Sequence, residues 1–384
     1  MITPSLLLLA GLLLATAAAG MAATRLSIFL SHRLGVLDRP DPRKSHRKPV
    51  AYLGGLGILI GFMAGVLLLA VVKPSMTAVQ GGPLLTILLG AVGIFLVGFW
   101  DDVRPIPAWG KLCLQIAVAS AMWFAGVRVE TVSYGFDEAM DLGALISYAI
   151  TVGWYVGLMN AMNLVDGLDG LAGGIAFIVA LALVGVSLVI LPSPEVILGA
   201  FLAVMTAGAV LGFLTFNWHP AKTFMGDGGS LLLGYLLATA ALISSTKTPT
   251  LLALSIPLVA LGLPIFETSF SFLRRAVERR HPFEPDRRHL HYRLLDLGLD
   301  QRRVVLFLHF ITAFLGINSV LLAAAESRVL YINVIFLVLG LIILIENLHF
   351  LERRRNGNGE NPTTPPQDSI PAAGDAPARE KQLL

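Results

Sequence analysis

A chain of 384 residues that is 55% hydrophobic, 14% charged and of mean hydropathy +0.76 is not an ordinary soluble domain, where about a quarter of residues carry charge. Its one cysteine, Cys113, lies in an apolar run and excludes both a disulfide framework and a thiolate metal centre. The net charge of +3 matters less than where the cations stand, and the composition predicts an all-α polytopic membrane protein.

Crossing a bilayer as helix takes about 20 apolar residues. Eleven stretches qualify: 4–30, 51–72, 82–100, 110–126, 142–159, 171–191, 195–216, 230–246, 250–270, 303–323 and 329–348. In the first, Arg25 and Arg33 follow the apolar run and no basic residue precedes it. It therefore reads as an anchor with the amino terminus outside, and not as a cleaved signal peptide. The alternating segments 31–50, 101–111, 160–170, 217–229, 271–303 and the tail hold 23 Lys and Arg residues, against Lys73, Arg128, Lys247 and Arg328 on the other side. That excess places the first set, and the carboxyl terminus, in the cytoplasm. Residues 1–350 form the membrane domain, and 351–384, rich in Pro, Gly, Asn and charge, a disordered cytoplasmic tail.

Along the chain, Ser31 to Tyr52 contains three prolines and reads as irregular backbone. Its R-K-S-H-R-K-P cluster, with Lys44 and Lys48, lies close to Gly54 and Gly55. Part of this charge is a cytoplasmic anchor; the tight cluster beside open backbone also suits a phosphate. The third span ends in G-F-W-D-D-V-R-P, with Asp101 and Asp102 at the boundary of hydrocarbon and water. Carboxylates at a helix carboxyl terminus face the unfavourable pole of the macrodipole, so the pair reads as functional. Neighbouring carboxylates point apart: one is free for a metal or substrate while the other holds Arg104 or Lys111. Lys111 opens the fourth span, where its ammonium reaches the same interface by snorkelling.

Asn160 to Gly174 reads N-A-M-N-L-V-D-G-L-D-G-L-A-G-G. Asn160, Asn163, Asp166 and Asp169 recur every three residues, so a helix would gather at least three of them on one side, the start of a hard-cation site. Gly167, Gly170, Gly173 and Gly174 predict that the helix does not run straight through. From Phe213 to Ser230 the chain reads F-L-T-F-N-W-H-P-A-K-T-F-M-G-D-G-G-S. Here Asp227 is expected in a Gly-rich turn just before a helix whose first amides and Ser230 face an anion. Asn217, His219, Lys222 and Phe224 offer polar and aromatic contacts.

In the long basic segment after residue 271, Arg274 to Arg280 extend the ninth helix, and Asp286, Arg287, Arg288, His289 and His291 follow two prolines. Two histidines without a third ligand fall short of a zinc site. Arginine with histidine better suits phosphate oxygens and sugar hydroxyls. His309 and His349 read as structural or interfacial. Oxygen donors across these segments favour Mg²⁺ or Mn²⁺, and a cation site at the interface suits phosphoryl transfer from a nucleotide diphosphate to a lipid.

The same residues carry a resemblance. N-x-x-N-x-x-D-G-L-D-G-L-A, D-D at a span end, F-N-x-x-P-A-x-x-F-M-G-D-x-G-S and a late D-x-x-H-x-H, spread over about residues 30–300, resemble the polyprenyl-phosphate N-acetylhexosamine-1-phosphate transferases of glycosyltransferase family 4. The resemblance implies transfer of a sugar 1-phosphate from a UDP-N-acetylhexosamine to undecaprenyl phosphate, with release of UMP and with Mg²⁺. It implies that Asp227 binds the metal with Asn163 as companion ligand, and that Asp101, Asp102 and Asp166 join Asp227 in the catalytic set. Lys111 would contact phosphate; Lys44, Lys48 and Asn160 line the donor site; Asn217 and Asp169 lie near the uracil and Phe224 against it; Arg288, His289 and His291 form the sugar and diphosphate loop.

R-K-S-H and H-L-H-Y are more similar to the UDP-GlcNAc branch than to the UDP-MurNAc-pentapeptide branch, although Tyr292 stands where even the former commonly has a histidine. Other N-acetylhexosamines and phospho-N-acetylmuramoyl-pentapeptide transfer remain alternatives. So does a transporter, but that class calls for ionisable residues in mid-span and broken helices in two related halves, whereas these carboxylates fall at span ends on one face. An aromatic prenyltransferase would explain the paired aspartates but neither the F-N to F-M-G-D segment nor the H-x-H loop. The expected setting is a bacterial inner membrane, with membrane lipids and no nucleic acid as partners; oligomeric state, a homodimer included, stays open.

Overall fold

The computed structural model describes residues 6–39, 48–75, 81–133, 139–190, 193–245, 258–259, 261–277 and 290–324. All belong to one compact unit of residues 1–333. Helices dominate: α1 (Leu6–Leu34), α2 (Gly54–Val72), α3 (Gly81–Val103), α4 (Ala108–Phe124), α5 (Gly143–Val165), α6 (Leu171–Val189), α7 (Pro194–Asn217), α8 (Gly226–Ser245), α9 (Gly262–Val277), α10 (Leu290–Asp296) and α11 (Gln301–Ala324). Among the described residues eight helices, α1 to α3, α5 to α8 and α11, are long and apolar enough to cross a membrane. Such segments are helical because a bilayer offers backbone amides no partner outside their own chain.

The 110–126 stretch forms a helix of 17 residues, about 26 Å long at 1.5 Å per residue and at the short end of what crosses a bilayer. Around the ninth stretch the described residues hold the helix Gly262–Val277, while 250–257 and 260 lie outside them. The eleventh stretch and the tail lie outside the described residues. Beside the helices stand two short antiparallel strand pairs, β1 (Leu37–Asp38) with β2 (Val50–Ala51) and β3 (Thr131–Ser133) with β4 (Ala139–Asp141).

Helices α7 and α8 are almost wholly buried and form the centre. α1, α2 and α6 pack on α7, while α3 and α5 pack on α8. Close approach depends on small residues: a Cβ added at Gly212 would stand 2.4 Å from the Ala17 carbonyl oxygen. Neutral hydroxyls tie the interior. Tyr235 Oη donates to the Ile87 carbonyl at 3.0 Å, Tyr155 Oη meets Thr239 Oγ1 at 3.1 Å, and Ser187 meets Ser244 at 2.9 Å. On the outside, Leu67, Leu89, Phe310 and Ile317 are exposed, as a lipid-facing surface requires.

The feature that positions the site is a seam between two loops. Ala51 bridges Thr223 in parallel, the Phe224 amide donates to the Ala51 carbonyl at 2.9 Å, and Gly54 and Gly55 donate to the carbonyls of Phe224 and Met225 at 2.9 and 3.2 Å. The first loop is thereby laid along the α7–α8 connection, just ahead of Asp227.

Candidate active site

The polar ends of α3, α4, α5 and α8 meet. Helix α3 continues past its apolar run into Asp101 and Asp102, which lie in its last turn. As expected, the two carboxylates diverge. Asp101 accepts from the Ile106 amide and from Lys111 Nζ, both at 2.7 Å. Asp102 turns to α8 and accepts the amides of Asp227 at 2.8 Å and Gly228 at 3.2 Å. It thus caps the amino end of another helix, where a negative charge also meets the favourable pole of the dipole.

Asp227 is in the first turn of α8, and not in a turn before it as the sequence suggested. The helix starts early because Gly226, at φ +67°, accepts the left-handed conformation and lies against Asp102, whose Oδ2 would be 2.4 Å from an added Cβ. Asp227 Oδ2 pairs with Lys111 Nζ at 2.5 Å, and its Oδ1 accepts from Asn163 Nδ2 at 2.9 Å. The same amide nitrogen lies 2.9 Å from Ser230 Oγ. Lys111 therefore bridges Asp101 and Asp227, residues that α3 and α8 bring together.

Helix α5 ends at Val165, and the turn that follows closes with Gly170 at φ +78°, the break that the glycines predicted. Asp166 stands at that end. Burial first, then the charges of Asp227, Asp102 and Asp169, push its carboxyl up to about 8. Asp169 Oδ2 lies 2.8 Å from His219 Nδ1 and accepts the Ala221 amide at 3.1 Å.

Two expected donor-site residues are engaged in holding the protein together. Asn217, 3% exposed, accepts from the Gly170 amide at 3.0 Å and donates to the Thr223 carbonyl at 2.8 Å, so it ties the α5–α6 turn to the α7–α8 loop. Asn160 exchanges amide contacts with buried Gln115 and donates to the Val156 carbonyl, one turn deeper than Asn163. Phe224 is half-buried and meets the Tyr52 ring edge-on at 6.5 Å. His291 is buried against Gly167, where an added Cβ would be 2.5 Å from its Nε2. Lys48 is exposed. Lys44, Arg288 and His289 lie outside the described residues.

Sequence reading passed over Tyr52, Gln115 and the Asp169–His219 contact. Their signal is spatial: a tyrosine before a glycine pair, or a glutamine in an apolar helix, gains meaning only from its partner. Trp100 and Trp109, 61% and 69% exposed, flank the carboxylates as interfacial anchors do. Among the described residues, no three His, Cys, Asp or Glu side chains are grouped closely enough to enclose a metal ion.

The glycosyl transferase family 4 profile matches residues 84–245, the stretch from α3 to α8 that holds Asp101, Asp102, Lys111, Asn163, Asp166 and Asp227. The chain is 35% identical over 316 residues to a Bacillus subtilis (strain 168) protein named "Probable undecaprenyl-phosphate N-acetylglucosaminyl 1-phosphate transferase", covering 82% of this chain and 85% of that one. It is 33% identical over 342 residues to a decaprenyl-phosphate N-acetylglucosaminephosphotransferase of Mycobacterium tuberculosis (strain ATCC 25618 / H37Rv), covering 82% and 83%. To a phospho-N-acetylmuramoyl-pentapeptide-transferase of Heliobacterium modesticaldum it is 36% identical over 230 residues, covering 56% and 68%. With that extent of identity laid over the residues that meet in space, the chain belongs to glycosyl transferase family 4.

Proposed function

We propose that this protein transfers N-acetylglucosamine 1-phosphate from UDP-N-acetylglucosamine to undecaprenyl phosphate and releases UMP, as the first membrane step of a cell-envelope polysaccharide. The observation that carries this reading is the meeting of Asp101, Asp102, Lys111, Asn163 and Asp227 beside two interfacial tryptophans. A lipid phosphate can reach such a place from the bilayer and a nucleotide from water. The relatives named for N-acetylglucosaminyl transfer match 70–82% of the chain, and those named for muramoyl-pentapeptide transfer 56–66%, which favours the smaller sugar. The excess of Lys and Arg in the alternating segments supports eleven spans, an amino terminus outside and an active end on the cytoplasmic face of a bacterial inner membrane.

The reaction is in-line displacement. An oxygen of the lipid phosphate forms a bond to the β-phosphorus of the donor as the bond from that phosphorus to the bridging oxygen breaks, and the electron pair leaves on UMP. A phosphate monoester has a second pKa near 6, so the nucleophile is mostly dianionic at neutral pH and needs no strong base. Lys111 supplies positive charge where the transferred phosphoryl oxygens must sit, while Asp101 and Asp227 hold its ammonium. Asp102 holds the first amides of α8 and so the direction of Asp227. Asp227 and Asp166, with the amide oxygen of Asn163, are hard donors that fit Mg²⁺ or Mn²⁺, which when bound would neutralise the diphosphate.

The test is purified protein with undecaprenyl phosphate, Mg²⁺ and a panel of UDP-sugars, with UMP measured. UDP-GlcNAc should be the preferred donor, and Asp227→Asn should lower turnover at least a thousandfold with unchanged thermal unfolding. Wild-type rate and metal dependence in that variant would remove Asp227 from the metal site. A phosphorylated aspartate trapped in a single turnover would replace direct attack by a covalent route.

A further inference from the structure

Tyr52 lies in the seam between the first loop and the α7–α8 connection. Its neighbours Ala51 and Leu53 are buried, 0% and 5% exposed, whereas Tyr52 is half-buried. Its backbone is fixed from both directions: the Tyr52 amide donates to Ser31 Oγ at 3.0 Å, and Ala51 accepts from the Phe224 amide. The ring stands at 85° to Phe224 with centroids 6.5 Å apart, an edge-to-face contact. Burial, and after it the charges of Asp102, Asp227 and Asp166, raises the pKa of its hydroxyl, and among the described residues it is hydrogen-bonded to none of the three.

A phenol in that place is a neutral donor with an apolar flank. Burial and the neighbouring carboxylates favour its protonated form. It can donate to an anion without adding to the cation count. A nucleoside diphosphate offers a partner for each: a base for the Tyr52–Phe224 ring pair and phosphate oxygens for a neutral donor.

We propose that Tyr52 is a donor-binding residue, its ring edge holding Phe224 square to the base and its hydroxyl donating to a phosphate oxygen of the nucleotide. The inference rests on the donor reading above. It assigns one side chain to two parts of one ligand, and the two parts separate by mutation. In the UMP-release assay with UDP-GlcNAc, Tyr52→Phe keeps the ring and loses the hydroxyl. It should lower kcat/KM for the donor about tenfold or more, leave the KM for undecaprenyl phosphate unchanged, and leave the affinity for uridine, measured by calorimetry, unchanged. Tyr52→Leu should also weaken uridine several-fold. Wild-type kinetics in Tyr52→Phe, or a shift in the acceptor's KM in place of the donor's, would overturn the proposal. So would an equal loss of uridine affinity in the two variants. Tyr52→Phe decides the matter even where Tyr52→Leu fails to fold. Failure of the wild-type protein to release UMP from any UDP-sugar would instead refute the donor reading on which the proposal rests.

Discussion

Asp102 gives the sharpest way to separate positioning from proton transfer. Both carboxylate oxygens accept backbone amides of α8, from Asp227 at 2.8 Å and Gly228 at 3.2 Å. In Asp102→Asn one acceptor oxygen remains, but an amide N–H now faces the second backbone N–H. A lost cap of this kind is worth about 1–2 kcal/mol, or a fall in Tm of about 2–4 °C per kcal/mol. Because Asp227 begins at the same backbone, its carboxylate shifts with the helix end, and a displacement on the order of 1 Å lowers turnover about a hundredfold. Asp102→Ala, which removes both acceptors, should lose more stability than Asp102→Asn. The assay is kcat for UMP release from pH 6 to 9 alongside thermal unfolding in detergent. The expected profile keeps its shape and drops as a whole, with Tm falling in step. Loss of one limb of the profile at unchanged Tm would make Asp102 a proton-transfer group and refute the capping argument.

Burial, then the charges of Asp227, Asp102 and Asp169, pushes the Asp166 carboxyl up to about 8 in the folded chain, so between its ordinary range and that value the folded chain keeps a proton that the unfolded chain has released. The group then opposes folding by nothing below about pH 4 and by most above pH 8. Asp166→Asn should raise Tm by several degrees at pH 8 without divalent cation, with the gain vanishing toward pH 4; a Tm lowered at pH 8 would mean that the carboxylate is compensated. Asn217→Ala orphans the buried Gly170 amide and Thr223 carbonyl, which should destabilise the protein by about 2–4 kcal/mol. Wild-type Tm with only a raised donor KM would return Asn217 to direct contact with the base.

The sequence revealed the chemistry-bearing residues better than their company. Asp101, Asp102, Asp166, Asp169 and Asp227 stand out because charge is scarce in an apolar chain, and the glycine spacing marked the break at Gly170. What Asp102 does was hidden, since the amides it caps lie 125 residues away. Hydropathy also misplaced helix ends. Helices α3, α5 and α8 run through polar residues at the interface, where water can serve the side chains while the backbone remains helical. An apolar count stops at Trp100, Met159 and Ser230, whereas the helices reach Val103 and Val165 and begin at Gly226. Asn160 was drawn toward the site by its three-residue spacing with Asn163, but Gln115 holds it inside the bundle.

The most direct measurement follows one atom. With UDP-GlcNAc radiolabelled at the β-phosphorus and undecaprenyl phosphate as acceptor, the label should pass into the lipid fraction in step with UMP release. Label that remains in a water-soluble nucleotide while sugar enters the lipid, with UDP as product, would contradict transfer of a sugar 1-phosphate at this site.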